Sequence, residues 1–357
     1  MALSKIDTTN MIEDVPQSKL DNNINFRNLI INGDMSIAQR STSASSLSSG
    51  TSYDSIDRYK TQIVNAGTWT ISQSTTVPTG QGFGYSLKMD CTTADTSLGA
   101  DDFLVVQQVT EAQNLQYLKY GTSSAESITM SFWVRSNKTG TYSIWLFADD
   151  NSKTISAPYT ISSADTWEKK TITFAGDTAS SITNDSGQGI RVYFVLAAGS
   201  NWTSGSTPTT WQSDSKSIRA PEQTVNLADS TSNEWYVTGI QLEAGQTASE
   251  FEFLPVDVNL RRCQRYYFKQ ELRFFICARY NASTGASLGD FYFPTEMRAT
   301  PTASTSGTFV SSAGYVGTPG FAGLRNTAFY LSGPSIGANQ IEYAGGSDAF
   351  IIGDAEL

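Results

Sequence analysis

Apolar and polar side chains alternate through most of the chain between residues 26 and 256, and a two-residue period predicts β-strands. The pattern is clearest in the segments 127–135, 140–147 and 189–196. In the first of these, the shared apolar face consists of Ile128, Met130, Phe132 and Val134. Further alternating segments are 69–73, 85–91, 103–109, 170–174 and 235–242. Short strands separated by Gly, Asn, Asp and Ser turns are typical of an antiparallel sandwich, and a span of this length best fits a two-sheet jelly roll.

The pattern divides the chain into four predicted parts. Residues 1–25 lack both the strand and the helix period, so they form either a disordered tail or an arm that becomes ordered on a partner. Residues 26–256 form the jelly roll, and residues 257–269 carry apolar side chains at helical spacing and form a short linking helix. Residues 270–357 form a small C-terminal β domain, with strands at 272–280, 289–293, 328–332 and 349–352. A β domain this small is marginal by itself, which favours oligomerisation.

Composition supports an all-β protein and excludes several classes of function. Hydrophobic residues make up 39% of the chain and charged residues only 16%, against roughly 25% charged residues in an average soluble protein. The net charge of −10 gives no electrostatic driving force for binding nucleic acid or anionic membranes. Histidine does not occur in the sequence, which removes Ser-His-Asp and Cys-His catalysis, His-ligated zinc and pH sensing by imidazole.

The cysteines and the first residues indicate where the chain folds. Cys91, Cys263 and Cys277 are widely spaced, and an odd number without a CxxC pair argues against a disulfide framework or a cysteine metal site. We expect three small, partly buried hydrophobic side chains instead. The first residues contain no apolar h-region of a Sec-type signal, and no run of about 18 apolar residues is present that would cross a bilayer. The expected folding environment is therefore a reducing cytoplasm.

Without histidine, an enzyme would depend on paired carboxylates. The candidate pairs for a glycosidase-type mechanism are Asp101–Asp102, Asp149–Asp150 and Glu250–Glu252. All of them lie beside turn residues, where acidic side chains commonly interact with solvent, so we expect no enzyme activity. The segment 149–151 offers loop oxygens to Ca²⁺ but lacks the DxDxDG spacing of a dedicated calcium loop. No cofactor is predicted.

Aromatic side chains on the polar face of the strands are the stronger functional signal. A sugar places its C–H face on an aromatic ring while its hydroxyls meet polar groups nearby. The candidates on the three clearest strands are Trp133, Arg135, Trp145, Arg191 and Tyr193. The long polar segment 199–232 adds Trp202 and Trp211, and a loop of that length within a compact domain is more often functional than idle. The alternative is that a loop covers this face and that Trp133 and Trp145 simply pack.

Three stretches carry a recognisable signature. The first is NLIINGDMSIAQR at residues 28–40, followed by Asp57-Arg58-Tyr59. The second is VTGIQLEAGQTASEFEF at residues 237–253. The third comprises RCQRYY at residues 262–267, FPTEMRATP at 293–301 and DAEL at 354–357. With these stretches the sequence resembles bacteriophage tail fibres and related virion proteins that contain a carbohydrate-binding-module-like jelly roll, and the match spans most of the chain from Asn28 onward.

The resemblance implies a homotrimeric appendage of the virion that is assembled in the host cytoplasm and contacts host-surface glycans. It supplies no catalytic residues. The arm of residues 1–25 would attach to other tail proteins, and the domain of residues 270–357 would form the tip. That domain offers further glycan-binding candidates at Tyr315, Phe321 and Tyr343. We predict that this tip carries most of the host specificity.

The resemblance also bears on calcium and on alternative functions. Related sugar-binding jelly rolls often hold a structural Ca²⁺ through an Asp of the last strand, and Gly239 stands at that position here. The residues therefore do not support a conventional calcium site. Two alternatives remain open. One is a virion protein such as a head fibre or tail adaptor that does not contact the host, and the other is a tailspike-type polysaccharide depolymerase, against which the lack of a regular repeat argues.

Overall fold

The computed structural model describes residues 26–271, 275–281, 284–287, 291–307, 310–311, 320–332, 341–345 and 349–357. The predicted arm of residues 1–25 lies outside the described residues. Within these ranges the structure is almost entirely β, as predicted.

Thirteen strands and a few short helical turns build the larger part of the molecule. In chain order the strands are β1 (Ser43–Leu47), β2 (Gly50–Ser52), β3 (Lys60–Val64), β4 (Thr68–Ser74), β5 (Ser86–Thr93), β6 (Phe103–Glu111), β7 (Ile128–Ser136), β8 (Gly140–Ala148), β9 (Lys153–Ile161), β10 (Glu168–Phe174), β11 (Gln188–Ala198), β12 (Gln212–Ser213) and β13 (Glu234–Ala244). The connections contain helix α1 (Ser200–Thr203) and 3-10 turns at Ala112–Leu118, Lys216–Ile218 and Leu227–Asp229.

These strands form two antiparallel sheets that enclose one core. Sheet A has the spatial order β1-β4-β5-β13-β7-β10, and sheet B has the order β12-β9-β8-β11-β6-β3-β2. The successive strands β5, β6, β7 and β8 alternate between the two sheets. This connectivity is that of a jelly roll, which confirms the predicted fold class.

The alternation of the sequence fills the core as predicted. The apolar face of β7, from Ile128 to Val134, is completely buried. It packs with the inward side chains of the neighbouring strands, among them Trp69, Phe194 and Trp235. All eight strands predicted between residues 69 and 242 are present.

Strands β1, β2, β3, β9 and β12 are not among the predicted ones. Strand β9 contains Pro158, which removes a main-chain donor and normally argues against a strand. Pro158 lies opposite Ser143 of β8, while the other side of β9 is paired only near its start, with the two residues of β12. The proline is therefore tolerated beside an unpaired edge.

Helix α2 (Val256–Gln264) leads into the smaller, C-terminal part. The helix is shorter than the predicted 257–269, because Tyr267 already begins the first strand of this part. Its strands are β14 (Tyr267–Glu271), β15 (Phe275–Asn281), β16 (Thr284–Ser287), β17 (Phe291–Tyr292), β18 (Thr302–Ser306), β19 (Val310–Ser311), β20 (Gly320–Ala322), β21 (Ala328–Ser332), β22 (Ile341–Gly345) and β23 (Phe350–Asp354). They form small sheets in the orders β14-β23-β18, β16-β15-β22-β19 and β17-β21-β20.

A buried cluster of charged and aromatic residues joins the two parts. Arg58 is fully buried, forms an ion pair with Glu356, and lies with its guanidinium 3.4 Å from the centre of the Tyr266 ring. Arg40 contacts the same Glu356 at 3.3 Å and Asp354 at 3.0 Å. Ion pairs and cation–π contacts therefore fix the C-terminal part to the jelly roll.

Two smaller observations complete the fold. Cys91 and Cys263 are free, buried thiols, as expected, whereas the side chain of Cys277 lies outside the described residues. None of the helices that the structure describes has the length and apolar character needed to span a bilayer.

Candidate functional site

The structure divides the predicted aromatic face between two opposite surfaces. Trp133 lies on β7 in sheet A, whereas Trp145 lies on β8 in sheet B. Both side chains point away from the shared core, as the alternation predicted. Because the outer faces of the two sheets point in opposite directions, Trp133 and Trp145 do not belong to one sugar-binding surface.

On sheet B, Trp145 stacks on Tyr193 of the neighbouring strand β11. Their ring centres are 3.8 Å apart and their planes differ by only 6°. The two side chains are 5% and 3% exposed, because the segment 199–232 covers them. The ring centre of Trp202, in this segment, lies 6.2 Å from that of Trp145. The Arg219 guanidinium lies 4.4 Å from the centre of the Trp145 ring. A sugar reaches these rings only if the covering segment moves away.

The remaining candidates of the jelly roll also have packing partners. Arg191 donates through Nε to Asp149 at 2.7 Å. The Trp202 indole donates to the main-chain oxygen of Asp101 at 3.1 Å. Trp211 is buried in the main core and donates to a main-chain oxygen at 2.8 Å. Their role in sugar binding stays a prediction, and none of the three lies beside Trp133.

The C-terminal candidates are described only in part. The Phe321 ring packs against the small core, with its centre 5.6 Å from that of Phe329. Tyr343 belongs to β22, but its side chain lies outside the described residues, as does all of Tyr315. The predicted host-contacting tip therefore stays a prediction.

Five of the six paired carboxylates have structural partners in the described chain, and the carboxylate of Glu250 is the exception. The hydrogen bond from Lys216 to Asp101, 2.7 Å long, lowers the pKa of this exposed carboxyl. Asp102 accepts a main-chain N–H at 2.6 Å, Asp150 accepts one at 2.8 Å, and Glu252 accepts two at 2.6 and 3.0 Å. These acids stabilise turns and chain crossings.

The position predicted to lack a calcium-binding Asp is occupied by a β-bulge. Gly239 has a φ of +62° and lies where the ladder between β13 and β7 shifts register, between Thr238 and Gln241. A Cβ atom at this glycine would lie 2.5 Å from the ζ-carbon of Phe83. In the described part of the chain, no group of three or more acidic or cysteine side chains is arranged to hold a metal ion.

An open pocket of about 230 Å³ lies beside Trp133 on the outer face of sheet A, and we call it the Trp133 pocket. Its floor consists of Ser131 and Trp133 from β7 and Gly239 from β13. Lys169 of the edge strand β10 pairs in register with Trp133 and forms one side. The Trp133 side chain is half-buried, so part of its ring remains accessible.

Three phenylalanines and two polar residues form the other walls of the Trp133 pocket. Phe83, Phe251 and Phe253 pack against one another with ring centres 4.8 to 5.1 Å apart. Phe253 remains 51% exposed, which is unusual for so large an apolar side chain. Gln81 and Glu250 complete the lining.

Hydrogen bonds to β13 hold these walls in place. Gln241 accepts the main-chain N–H of Glu252 at 2.8 Å and donates to Ser249 at 3.0 Å. Ser249 in turn donates its main-chain N–H to Glu243 at 2.8 Å, and Glu243 forms an ion pair with Arg27 at 3.4 Å. The segment 249–253 is thus attached to Gln241 and Glu243 of β13 and does not cover Trp133.

Beyond the pocket, the same sheet face carries paired charges around Tyr236. Its hydroxyl donates to Glu234 at 2.6 Å, and Lys88 donates to the same carboxylate at 2.6 Å. Burial opposes ionisation of Glu234, but these hydrogen bonds outweigh it and lower its pKa. Arg135, a predicted candidate, contacts Asp165 at 2.8 Å and lies 5.0 Å from the centre of the Tyr236 ring. Arg135 therefore extends the face that carries Trp133.

Sequence reasoning found Trp133 and Arg135 but missed Lys169, Gln81 and Phe253. Lys169 lies on β10, whose pairing with β7 places it beside Trp133, and Gln81 lies in the connection between β4 and β5. Phe253 belongs to the signature at residues 237–253, but the sequence does not show that its ring stays exposed. The pairing of strands is the signal that the sequence did not provide.

Comparisons with known proteins found structural similarity at low sequence identity. Neither a protein-family model nor a curated protein matches the chain. Among solved structures, tailspike protein 4 of bacteriophage CBA120 is similar over 61% of this chain and 21% of its own, with 11% identity and a TM-score of 0.32. A putative sugar-binding protein of Bacteroides thetaiotaomicron is similar over 61% of this chain and 99% of its own, with 13% identity and a TM-score of 0.30.

A third similar structure is the family 11 carbohydrate-binding module of a Clostridium thermocellum cellulosomal cellulase. It covers 56% of this chain and 98% of its own, with 11% identity and a TM-score of 0.28. The chain thus spans about a fifth of the tailspike domain but nearly all of the sugar-binding proteins. At these TM-scores the likenesses carry no argument about function, which has to come from the site.

Proposed function

We propose that this chain is a non-enzymatic, glycan-binding subunit of a bacteriophage tail fibre, and that the Trp133 pocket is its sugar site. The observation that carries the sugar-binding part is the accessible indole ring of Trp133 on the floor of an open pocket. Around the ring stand the hydroxyl of Ser131, the amide of Gln81 and the ammonium of Lys169. An aromatic face surrounded by such groups suits a sugar ring and its hydroxyls.

A glycan array of bacterial surface polysaccharides tests the sugar site. We expect the full chain to bind a subset of these glycans, and Trp133→Ala to lower the affinity for each of them by about tenfold, the loss of about 1.4 kcal/mol. Trp167→Ala is the matched control, because Trp167 lies near the same face without lining the pocket. Normal binding by Trp133→Ala would place the sugar site elsewhere.

The virion assignment is supported by the sequence signature at residues 28–40, 237–253 and 262–267. We propose a homotrimer, and the mass of the purified chain in solution tests it. A stable monomer over a wide concentration range would contradict the trimer without affecting the sugar site.

Attachment to the particle is assigned to residues 1–25. Deletion of these residues is expected to leave a folded, soluble oligomer that no longer joins virions, since the described jelly roll begins after them. If the truncated chain still enters particles normally, the attachment site lies elsewhere.

Host specificity has two proposed sources, the Trp133 pocket and the C-terminal domain. Exchange of residues 270–357 with the equivalent part of a relative of different host range separates them. If adsorption follows the exchanged part, the tip carries the specificity, whereas adsorption that follows the jelly roll assigns it to the Trp133 pocket. Three copies of either site would add avidity to weak single-site binding.

Two other functions compete with this proposal. A virion protein that never contacts the host would bind no surface glycan and would be located by imaging away from the fibre tip. A depolymerase would release short oligosaccharides from host capsule or lipopolysaccharide. Incubation of the full chain with these polymers distinguishes the second, and we expect the polymers to remain intact.

A further inference from the structure

Lys169 differs from the other cations on the outer face of sheet A. Lys88 pairs with Glu234 at 2.6 Å, and Arg135 pairs with Asp165 at 2.8 Å. Lys169 is exposed and has neither an ion pair nor a hydrogen bond to any residue that the structure describes. Its ammonium group is therefore available to a ligand.

The available charge lies beside the available ring. Lys169 and Trp133 are register partners on β10 and β7, and both line the Trp133 pocket. The pocket volume of about 230 Å³ is below the range of about 300–1,000 Å³ that is typical for drug-sized ligands. The pocket therefore suits one sugar residue rather than a longer segment.

We propose that the Trp133 pocket selects a sugar residue that bears a carboxylate, as uronic acids do. The sugar ring lies on Trp133, and its carboxylate pairs with the Lys169 ammonium. This inference rests on the proposed sugar site and adds the chemical class of the ligand.

Glu250 gives the pocket an opposite charge that makes the inference testable in both directions. It is the one acidic side chain among the described lining residues. Its main-chain oxygen accepts hydrogen bonds from Arg27 and Gln241, while its carboxylate has no partner in the described ranges. A bound carboxylate is attracted by Lys169 and repelled by Glu250, so the two charges orient an acidic sugar.

The test uses two pairs of probes that differ only in charge. Methyl glucuronide is compared with methyl glucoside, and methyl galacturonide with methyl galactoside. Each is titrated into the full chain at low ionic strength while the NMR signal of the Trp133 indole is followed, assigned by its loss in Trp133→Phe. We expect one acidic member to bind about two- to fivefold tighter than its neutral counterpart, as for a partly exposed ion pair.

Three variants then assign this preference to the charges. The preference is the ratio of the affinities for the acidic and the neutral member of a pair, measured for each variant. Lys169→Gln is expected to abolish it, Lys169→Arg to retain it, and Glu250→Gln to increase it. Equal binding of both members of each pair, or a preference that survives in Lys169→Gln, would overturn the acidic-sugar inference and leave the sugar site standing. Absence of any change in the Trp133 signal with all four glycosides would count against the sugar site itself and overturn both proposals.

Discussion

Among single residues, Asp57 carries a clear dependence on pH. Its side chain is buried and accepts the main-chain N–H of Gln39 at 2.8 Å, but burial outweighs this bond and raises its pKa from 3.8 to about 6. Because the pKa is higher in the folded than in the unfolded chain, the contribution of Asp57 to stability is present below about pH 4 and is lost as the pH rises through about 6.

Replacement of Asp57 by Asn is expected to remove this pH dependence. The free energy of unfolding of Asp57→Asn is compared with that of the original chain at pH 4.5 and at pH 7.5. From the lower to the higher pH, the difference between the two proteins should change by about 2 kcal/mol in favour of the variant. Urea denaturation at the two pH values measures the shift. A constant difference across this range would show that Asp57 does not titrate there.

The two tryptophans of the predicted face should respond in opposite ways. Trp145 is 5% exposed and stacked on Tyr193, so Trp145→Ala is expected to lower the free energy of unfolding by about 3 kcal/mol. Sugar binding at Trp133, on the other sheet, should persist. Trp133→Ala should show the reverse, with lost binding and a smaller loss of stability. Denaturation curves and the glycan array together check both variants, and equal effects would mean that the two surfaces are coupled.

The same pair shows what sequence reasoning reached at this scale. Alternation placed both rings correctly on the outward side of their strands, because side-chain direction has a period of two. It did not separate the two surfaces, because the consecutive strands β7 and β8 belong to different sheets, which the alternation within each strand does not show. Loop coverage of Trp145 depends on long-range contacts such as that of Arg219, which leave no local pattern.

At the scale of elements, the β-bulge in β13 links stability to the Trp133 pocket. Gly239→Ala would place an alanine in the left-handed backbone region, and its Cβ would clash with the Phe83 ring. We expect a loss of about 2 kcal/mol in the free energy of unfolding and weaker sugar binding, because Phe83 is a wall of the pocket. Gly84→Ala is the control, since no atom lies within 4 Å of its added Cβ. Unchanged binding by a folded Gly239→Ala would separate the bulge from the site.

The elements also show the limits of pattern reading. Strands with strong alternation, such as β7 and β11, were predicted to within a few residues. Strand β9 was missed because Pro158 is a strand-breaking signal that only its edge position neutralises. The bulge was not predicted either, since a glycine in a strand gives no information about which side chain packs against it.

At the scale of the whole molecule, the buried Glu356 determines how firmly the two parts are joined. Glu356→Gln leaves Arg58 without its counter-ion in a buried site, which typically costs about 3 kcal/mol or more. We expect faster hydrogen exchange in β23, next to Glu356, while β7 keeps its protection.

Hydrogen exchange detected by mass spectrometry measures this difference. Glu126→Gln is the matched control, because its ion pair with Lys119 is exposed and contributes little. Uniform acceleration in both strands would indicate that the two parts unfold as one unit, and unchanged exchange would show that Arg58 finds another partner.

The contact between Arg58 and Glu356 also has a consequence in time. The two residues are 298 positions apart in the chain, a separation that takes about 15 to 60 seconds to synthesise at about 5–20 residues per second. Until Glu356 has been made, Arg58 has no counter-ion and favours a hydrated surface over burial. We therefore expect a nascent jelly roll to keep a charged, water-covered patch at its future junction. Such a charge works as a gatekeeper that discourages neighbouring nascent chains from associating through this patch.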